Sequence, residues 1–89
     1  MEKLDDEGRR WVARAKEDLL GRLKISDEAV KLVQAEAILW SDSSLGCPKP
    51  GMMYAQVITP GYQIVLEYAG KQYDYHVGNN RLVLCEAQE

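Results

Sequence analysis

Apolar positions recur at helical spacing over residues 5–24. Val12, Ala15, Leu19 and Leu23 form one stripe, and Trp11 and Leu20 widen it. The opposite side carries Arg14, Glu17, Asp18 and Arg22. Arg14–Asp18 and Asp18–Arg22 are spaced for helical ion pairs, each worth about 0.2–0.5 kcal/mol. Asp5, Asp6 and Glu7 stand where the positive end of a helix dipole favours carboxylates. The pattern predicts an amphipathic helix over 5–24, weakened near Gly21, and a short turn capped by Ser26-Asp27-Glu28.

From residue 30 the period changes to two. Val33, Ala35, Ala37 and Leu39 alternate with Leu32, Gln34, Glu36, Ile38 and Trp40, which predicts a strand with room for the helix over its small residues. Segments 54–59, 62–68 and 71–77 are rich in Tyr, Val and Ile and also read as strands. Thr59-Pro60-Gly61-Tyr62 fits a type II turn, and Ala69-Gly70 closes a second hairpin. Such turns place Val57 opposite Ile64, Ala55 opposite Leu66 and Met53 opposite Tyr68. Across the next hairpin, Ile64 faces Tyr75, Leu66 faces Tyr73 and Tyr62 faces Val77. Both hairpins then share one apolar side, while Gln56, Gln63, Glu67, Gln72, Asp74 and His76 gather on the other. Gly78-Asn79-Asn80 turns the chain into a last strand, 81–85.

The expected fold is α+β, a single domain over 1–89 in the order α-β-β-β-β-β. One N-terminal helix packs on a four- to five-stranded antiparallel sheet spanning 30–86, interrupted by a long loop, 41–52. Tyr62, Tyr68, Tyr73 and Tyr75 face the helix with their hydroxyls reaching outward. The second sheet face is semi-polar and partly open.

Composition narrows the function. A net charge of −3 and a pI near 5.1 argue against nucleic acid as a partner, because that binding needs clustered positive charge. Arg9, Arg10, Arg14, Lys16, Arg22 and Lys24 alternate with Glu7, Glu17 and Asp18, the pattern of a solvated helix face. No apolar run nears the roughly 20 residues of a membrane helix, so no membrane partner is expected. The start shows no charged and then apolar leader, which reads as cytoplasmic; a trimmed form of an exported protein would look the same. A monomer is expected.

Chemistry concentrates in the loop. Between Trp40 and Tyr54 lie Asp42, Ser43, Ser44, Leu45, Cys47, two prolines and two glycines. Prolines restrict φ and glycines admit positive φ, so the segment 42–51 has a defined shape. Asp42, Ser43 and Ser44 suit Asx and Ser turns. Trp40 and Tyr54 flank the loop and point to the polar face, placed for an aromatic floor beneath Met52 and Met53 that reads either as a cluster anchoring the loop or as a partner-binding ridge. Trp40, Asp42, Ser43, Ser44, Leu45, Cys47 and Tyr54 are the candidate binding residues.

Cys47 and Cys85 allow one intramolecular bridge or two free thiols. A bridge would close a loop of roughly 40 residues, about 4 kcal/mol on the chain-entropy model. As an alternative to binding, Cys47 would act as nucleophile, His76 as base, and Asp42 or Asp74 would orient the imidazole. Against it, Pro48 follows Cys47, so no helix N-terminus activates the thiol. Otherwise His76 reads as a surface residue opposite Gln63. A metal site would require Cys47, Cys85, His76 and a carboxylate to meet. No C-x-x-C or H-x-x-x-H spacing marks one, no phosphate-cradling glycine motif occurs, and no cofactor is expected.

The run Trp40-x-Asp42-Ser43-Ser44-Leu45-Gly46-Cys47-Pro48-x-Pro50-Gly51-Met52-Met53-Tyr54-x-Gln56 resembles the signature of a family of small uncharacterised bacterial domains. The likeness continues through Gly61-Tyr62-x-Ile64-x-Leu66 and Gly70-x-x-Tyr73-x-Tyr75-His76 to Val83-Leu84-Cys85. Members of that family are often exported, and the second cysteine suits a bridge in them. The resemblance implies the fold and the importance of the loop, with no activity attached. The helix-then-sheet order is also similar to cystatin-like and PepSY-type domains, which bind peptides or inhibit proteases. The expected function is a non-enzymatic module that presents loop 42–51 to a protein or peptide.

Overall fold

The structure is a computed structural model that describes residues 4–48 and 51–85. Helix α1 runs Asp6–Leu23. Asp5 caps it by accepting the Gly8 N–H at 2.7 Å, and Lys24 ends it in the left-handed conformation with its N–H on the Leu20 carbonyl. A short 3₁₀ turn follows, Asp27–Ala29, preceded by Ser26, whose side chain makes no capping bond. Four strands complete the domain: β1 Lys31–Trp40, β2 Thr59–Tyr68, β3 Lys71–Gly78 and β4 Arg81–Cys85. They form one antiparallel sheet in the order β1-β2-β3-β4.

The later hairpins have the expected register. Ile64 pairs with Tyr75, Leu66 with Tyr73 and Tyr62 with Val77. Ala69 and Gly70, and again Asn79 and Asn80, take positive φ, which the tight hairpin turns require. The expected hairpin before them does not form. Residues 54–58 lie outside the sheet, and β2 runs straight through Pro60 and Gly61 instead of turning there. The place assigned to Ala55 and Val57 belongs to β1, where Ala35 pairs with Ile64, Ala37 with Tyr62 and Leu39 with Pro60. Proline is tolerated because β3 begins pairing only at Gly61, so Pro60 has one neighbouring strand. The described sheet therefore has four strands, and residue 86 lies outside the described residues. A bulge at Val33 also shifts the early register, bringing Leu32 rather than Val33 opposite Leu66.

One face of the sheet packs on α1. Trp11, Ala15 and Leu19 meet Tyr62, Ile64, Leu66, Tyr75 and Val77, with Val30 closing the lower end. The buried tyrosines direct their hydroxyls to the helix. Tyr62 donates to Asp5 at 2.8 Å, and Tyr75 donates to Asp18 at 2.8 Å. Burial, then the bond to Asp5, pushes the Tyr62 phenol up to about 12. Burial and Asp18 raise Tyr75 as well. Asp18 also receives Arg22, whereas Arg14 stands over the Trp11 ring, 5.0 Å from its centroid, instead of pairing with Asp18. Tyr68 and Tyr73 are half-buried. Among the described residues no helix is long and apolar enough to cross a membrane.

Candidate functional site

The other sheet face is covered, not open, at its upper end. The connection from β1 to β2 occupies 41–58, longer than the expected 41–52, and its first part folds back over the sheet. Asp42 starts the fold. Its Oδ1 accepts the Ser44 N–H at 2.9 Å and the Ser44 hydroxyl at 2.5 Å. These two bonds, the hydroxyl's first, hold the Asp42 carboxyl below the usual carboxylate range. Ser43 donates its N–H to the Ala55 carbonyl, and Ala55 returns its N–H to the Ser43 hydroxyl, both at 2.9 Å. Arg81 donates to the Ser43 carbonyl from the start of β4 at 2.9 Å.

Leu45 and Gly46 follow in consecutive positive-φ conformations, 58° and 75°. This kink drives the Leu45 side chain, 0% exposed, onto Gly78, where any larger residue would collide with it. The kink also lays Gly46 on the Trp40 ring; a Cβ there would sit 2.8 Å from Cζ3. Glycine is thus required at position 46 twice, for conformation and for space. Trp40 itself lies across the sheet, donating its indole N–H to the Val77 carbonyl at 2.8 Å. A side chain on Gly61 would strike the Val77 carbonyl and the indole nitrogen.

His76 is the centre of this arrangement. It is 6% exposed and stacks on Trp40 at 4.4 Å between ring centroids. Its Nδ1 lies 2.6 Å from the Leu45 carbonyl oxygen, which only accepts, so Nδ1 carries a proton and donates. Its Nε2 lies 3.0 Å from Asp74 Oδ2, an ion pair whenever the ring is protonated. Gln63 donates to the other oxygen of Asp74 at 3.1 Å. His76 stands opposite Gln63 as expected, but it is buried rather than at the surface. The loop buries it and accepts from Nδ1 through the Leu45 carbonyl, while Asp74, on the same strand, holds Nε2.

Beside it, Cys47 and Cys85 are bonded to each other, with Cα atoms 5.8 Å apart. The bond joins the loop to the end of β4. Both sulfurs and a ring nitrogen of His76 lie within 4.8 Å of one another. Residues 12–85, which include every residue of this assembly, match the family model of a domain of unknown function, DUF8738. The chain belongs to that family. No curated protein and no solved structure matches it.

Within the DUF8738 domain the candidate residues separate into two groups. Trp40, Leu45, Cys47, Cys85 and His76 converge over β3, joined by Asp74. Asp42, Ser43 and Ser44 do not reach His76; they shape the loop backbone. Asp42 thus cannot orient the imidazole, a position taken by Asp74. Trp40 builds its aromatic contact with His76 rather than as a floor under the methionines, and Tyr54 is half-buried in the returning part of the loop. Pro50 and Lys49 lie outside the described residues.

Sequence reasoning missed the convergence of His76 with both sulfurs, which come from a loop, a strand middle and a strand end. One signal was available. Asp74 and His76 share a face by their spacing, and a two-residue turn at Asn79-Asn80 brings Cys85 opposite Asp74. A run of exposed apolar side chains lies on the β1–β2 connection, and the expected strand pairing of Val57 gives no sign of it. Met52, Met53, Val57 and Ile58 all face solvent, Met53 at 96%, and Leu39, opposite Pro60 on β1, is exposed as well.

Proposed function

We propose that this DUF8738 domain is a non-enzymatic interaction module that presents its β1–β2 loop to a protein or peptide partner. The observation that carries the reading is the exposure of Met52, Met53, Val57 and Ile58 on a connection fastened to the sheet. Fastening comes from the Ser43–Ala55 pair of hydrogen bonds, the Arg81 contact, the buried Leu45 and the bond from Cys47 to Cys85. A backbone fastened this way loses little further freedom on binding, which favours affinity. Methionine adapts to varied partner surfaces and is enriched at interfaces. The contact surface shifts accordingly, from residues 42–51 toward 51–58, while 42–48 acts as the mount.

The test is selection of peptides from a random display library, with counter-selection against a variant carrying Met52→Ser, Met53→Ser, Val57→Ser and Ile58→Ser. Peptides that bind the parent, fail on the variant and shift amide resonances within 51–58 are the expected result. Failure to enrich any, or shifts confined to another surface, would defeat the reading.

The proximity of Cys47 to His76 favours one other reading, a thiol-dependent enzyme or redox protein. Against it, both ring nitrogens already have partners and the Cys47 sulfur is bonded to Cys85. The alkylation rate of reduced Cys47 against pH separates the two; a profile centred near the ordinary thiol value of about 8.5 disfavours the enzyme.

A further inference from the structure

Three donors suited to a thiophilic metal meet on the loop face. The Sγ atoms of Cys47 and Cys85 and a ring nitrogen of His76 are mutually within 4.8 Å. In a tetrahedral zinc site, bond lengths of about 2.3 Å to sulfur and about 2.0–2.1 Å to nitrogen put neighbouring donors roughly 3.3–3.8 Å apart. Donors already inside 4.8 Å need only side-chain rotation to adopt that spacing, and the cysteine Cα separation of 5.8 Å leaves room for it.

The imidazole is already oriented for the task. Metal-binding histidines characteristically donate their other N–H to a carbonyl or carboxylate, which fixes the tautomer and the ring plane. Here Nδ1 donates to the Leu45 carbonyl at 2.6 Å, leaving Nε2 as the donor nitrogen. Trp40 stacks on the ring and shields it. Asp74 Oδ2, 3.0 Å from Nε2, supplies an oxygen and a negative charge beside the ring. The acidic oxygen is itself steadied, since Gln63 holds its twin.

We propose that, once the Cys47–Cys85 bond is reduced, Cys47, Cys85 and His76 form a binding site for a thiophilic divalent cation, zinc above all, with Asp74 or a water it holds completing the shell. The balance is simple. A dithiol reductant transfers two electrons and two protons to the disulfide, giving two protein thiols and the oxidised, disulfide form of the reductant. The cation then displaces both thiol protons to solvent, together with the Nε2 proton where the ring carries one. One position in the fold thus holds the loop in two ways, by a sulfur–sulfur bond or through a shared metal.

The experiment titrates cobalt(II), then zinc(II), into the full chain reduced with a phosphine under nitrogen, with thiol content checked before each run. One equivalent of cobalt should produce thiolate-to-metal charge-transfer absorption and the visible bands of tetrahedral cobalt, and zinc should bleach both. Oxidised protein should show neither. Cys47→Ser and Cys85→Ser should each weaken binding at least about 100-fold, and Asp74→Asn by about 10-fold. His76→Asn separates a built site from simple chelation by two thiols: it should cost at least about 100-fold. If it binds cobalt as tightly as the parent, the proposal fails. It fails equally if the reduced, folded parent takes up no cobalt. Should the reduced chain unfold, circular dichroism decides: refolding on one equivalent of zinc supports the site, and no refolding overturns it. This outcome is independent of the peptide selection, which uses oxidised protein.

Discussion

The two faces of this sheet are held by different physics. Against α1, Trp11, Ala15 and Leu19 meet Ile64, Leu66, Tyr75 and Val77 in continuous apolar contact. Stability there scales with area removed from water. Under the loop, one buried leucine and one tryptophan are surrounded by carbonyl oxygens, an imidazole, a carboxylate and a covalent bond. Stability there rests on a few directional contacts. The first face tolerates shape-conserving exchange; the second does not. The difference explains how a chain of 89 residues carries a long connection: the helix face supplies the free energy, and the loop face supplies the shape.

The comparison is broken most forcefully from the helix side. Leu66→Ala should destabilise the domain by about 2–5 kcal/mol in urea unfolding, while native-state amide shifts around Leu45 and Gly46 stay in place. Next is removal of the covalent tether. Cys47→Ala with Cys85→Ala should cost about 2–4 kcal/mol and raise amide exchange selectively in 41–58. A loss exceeding that of Leu66→Ala would reverse the ranking of the two faces. Gly46→Ala forces a side chain into a φ of 75° and against Trp40, so about 1–3 kcal/mol is expected, read as an unstacked Trp40 by fluorescence.

A subtler probe is alkaline pH. The Tyr62 phenol is raised from 10.0 to about 12 in the folded chain, so the folded state holds its proton more tightly than the unfolded state. Its contribution is complete below pH 10 and drains away as pH rises from 10 to 12. Unfolding midpoints followed across that window should fall less steeply in Tyr62→Phe than in the parent. The smallest effect belongs to the exposed run. Met53→Ser should change stability by less than about 0.5 kcal/mol, which separates a residue kept for contact from one kept for packing.

Much of the helix face was legible in the chain, and the reason is periodicity. The stripe from Trp11 to Leu23 and the alternation of Tyr62, Ile64 and Leu66 each signal a buried side through local spacing alone. Pairing across β2 and β3 followed, because Ala69-Gly70 sets the register. The partner of β2 on its other side was misread because Pro60-Gly61 is good turn chemistry, and local preference yielded to the longer, tertiary pairing with β1. The loop face was least legible. Its contacts join residues far apart in the chain, Trp40 to Val77 and Leu45 to His76, through backbone carbonyls that leave no pattern in side-chain type.

The bond between Cys47 and Cys85, separated by 38 positions, gives the polypeptide the topology of a lariat. The closed ring contains β2, β3 and β4; the tail contains α1 and β1. A protease that nicks the ring at an exposed stretch, such as that around Met53, hydrolyses a peptide bond without releasing a fragment. The clipped molecule weighs one water more than the intact one and falls into two pieces only when the sulfur–sulfur link is opened.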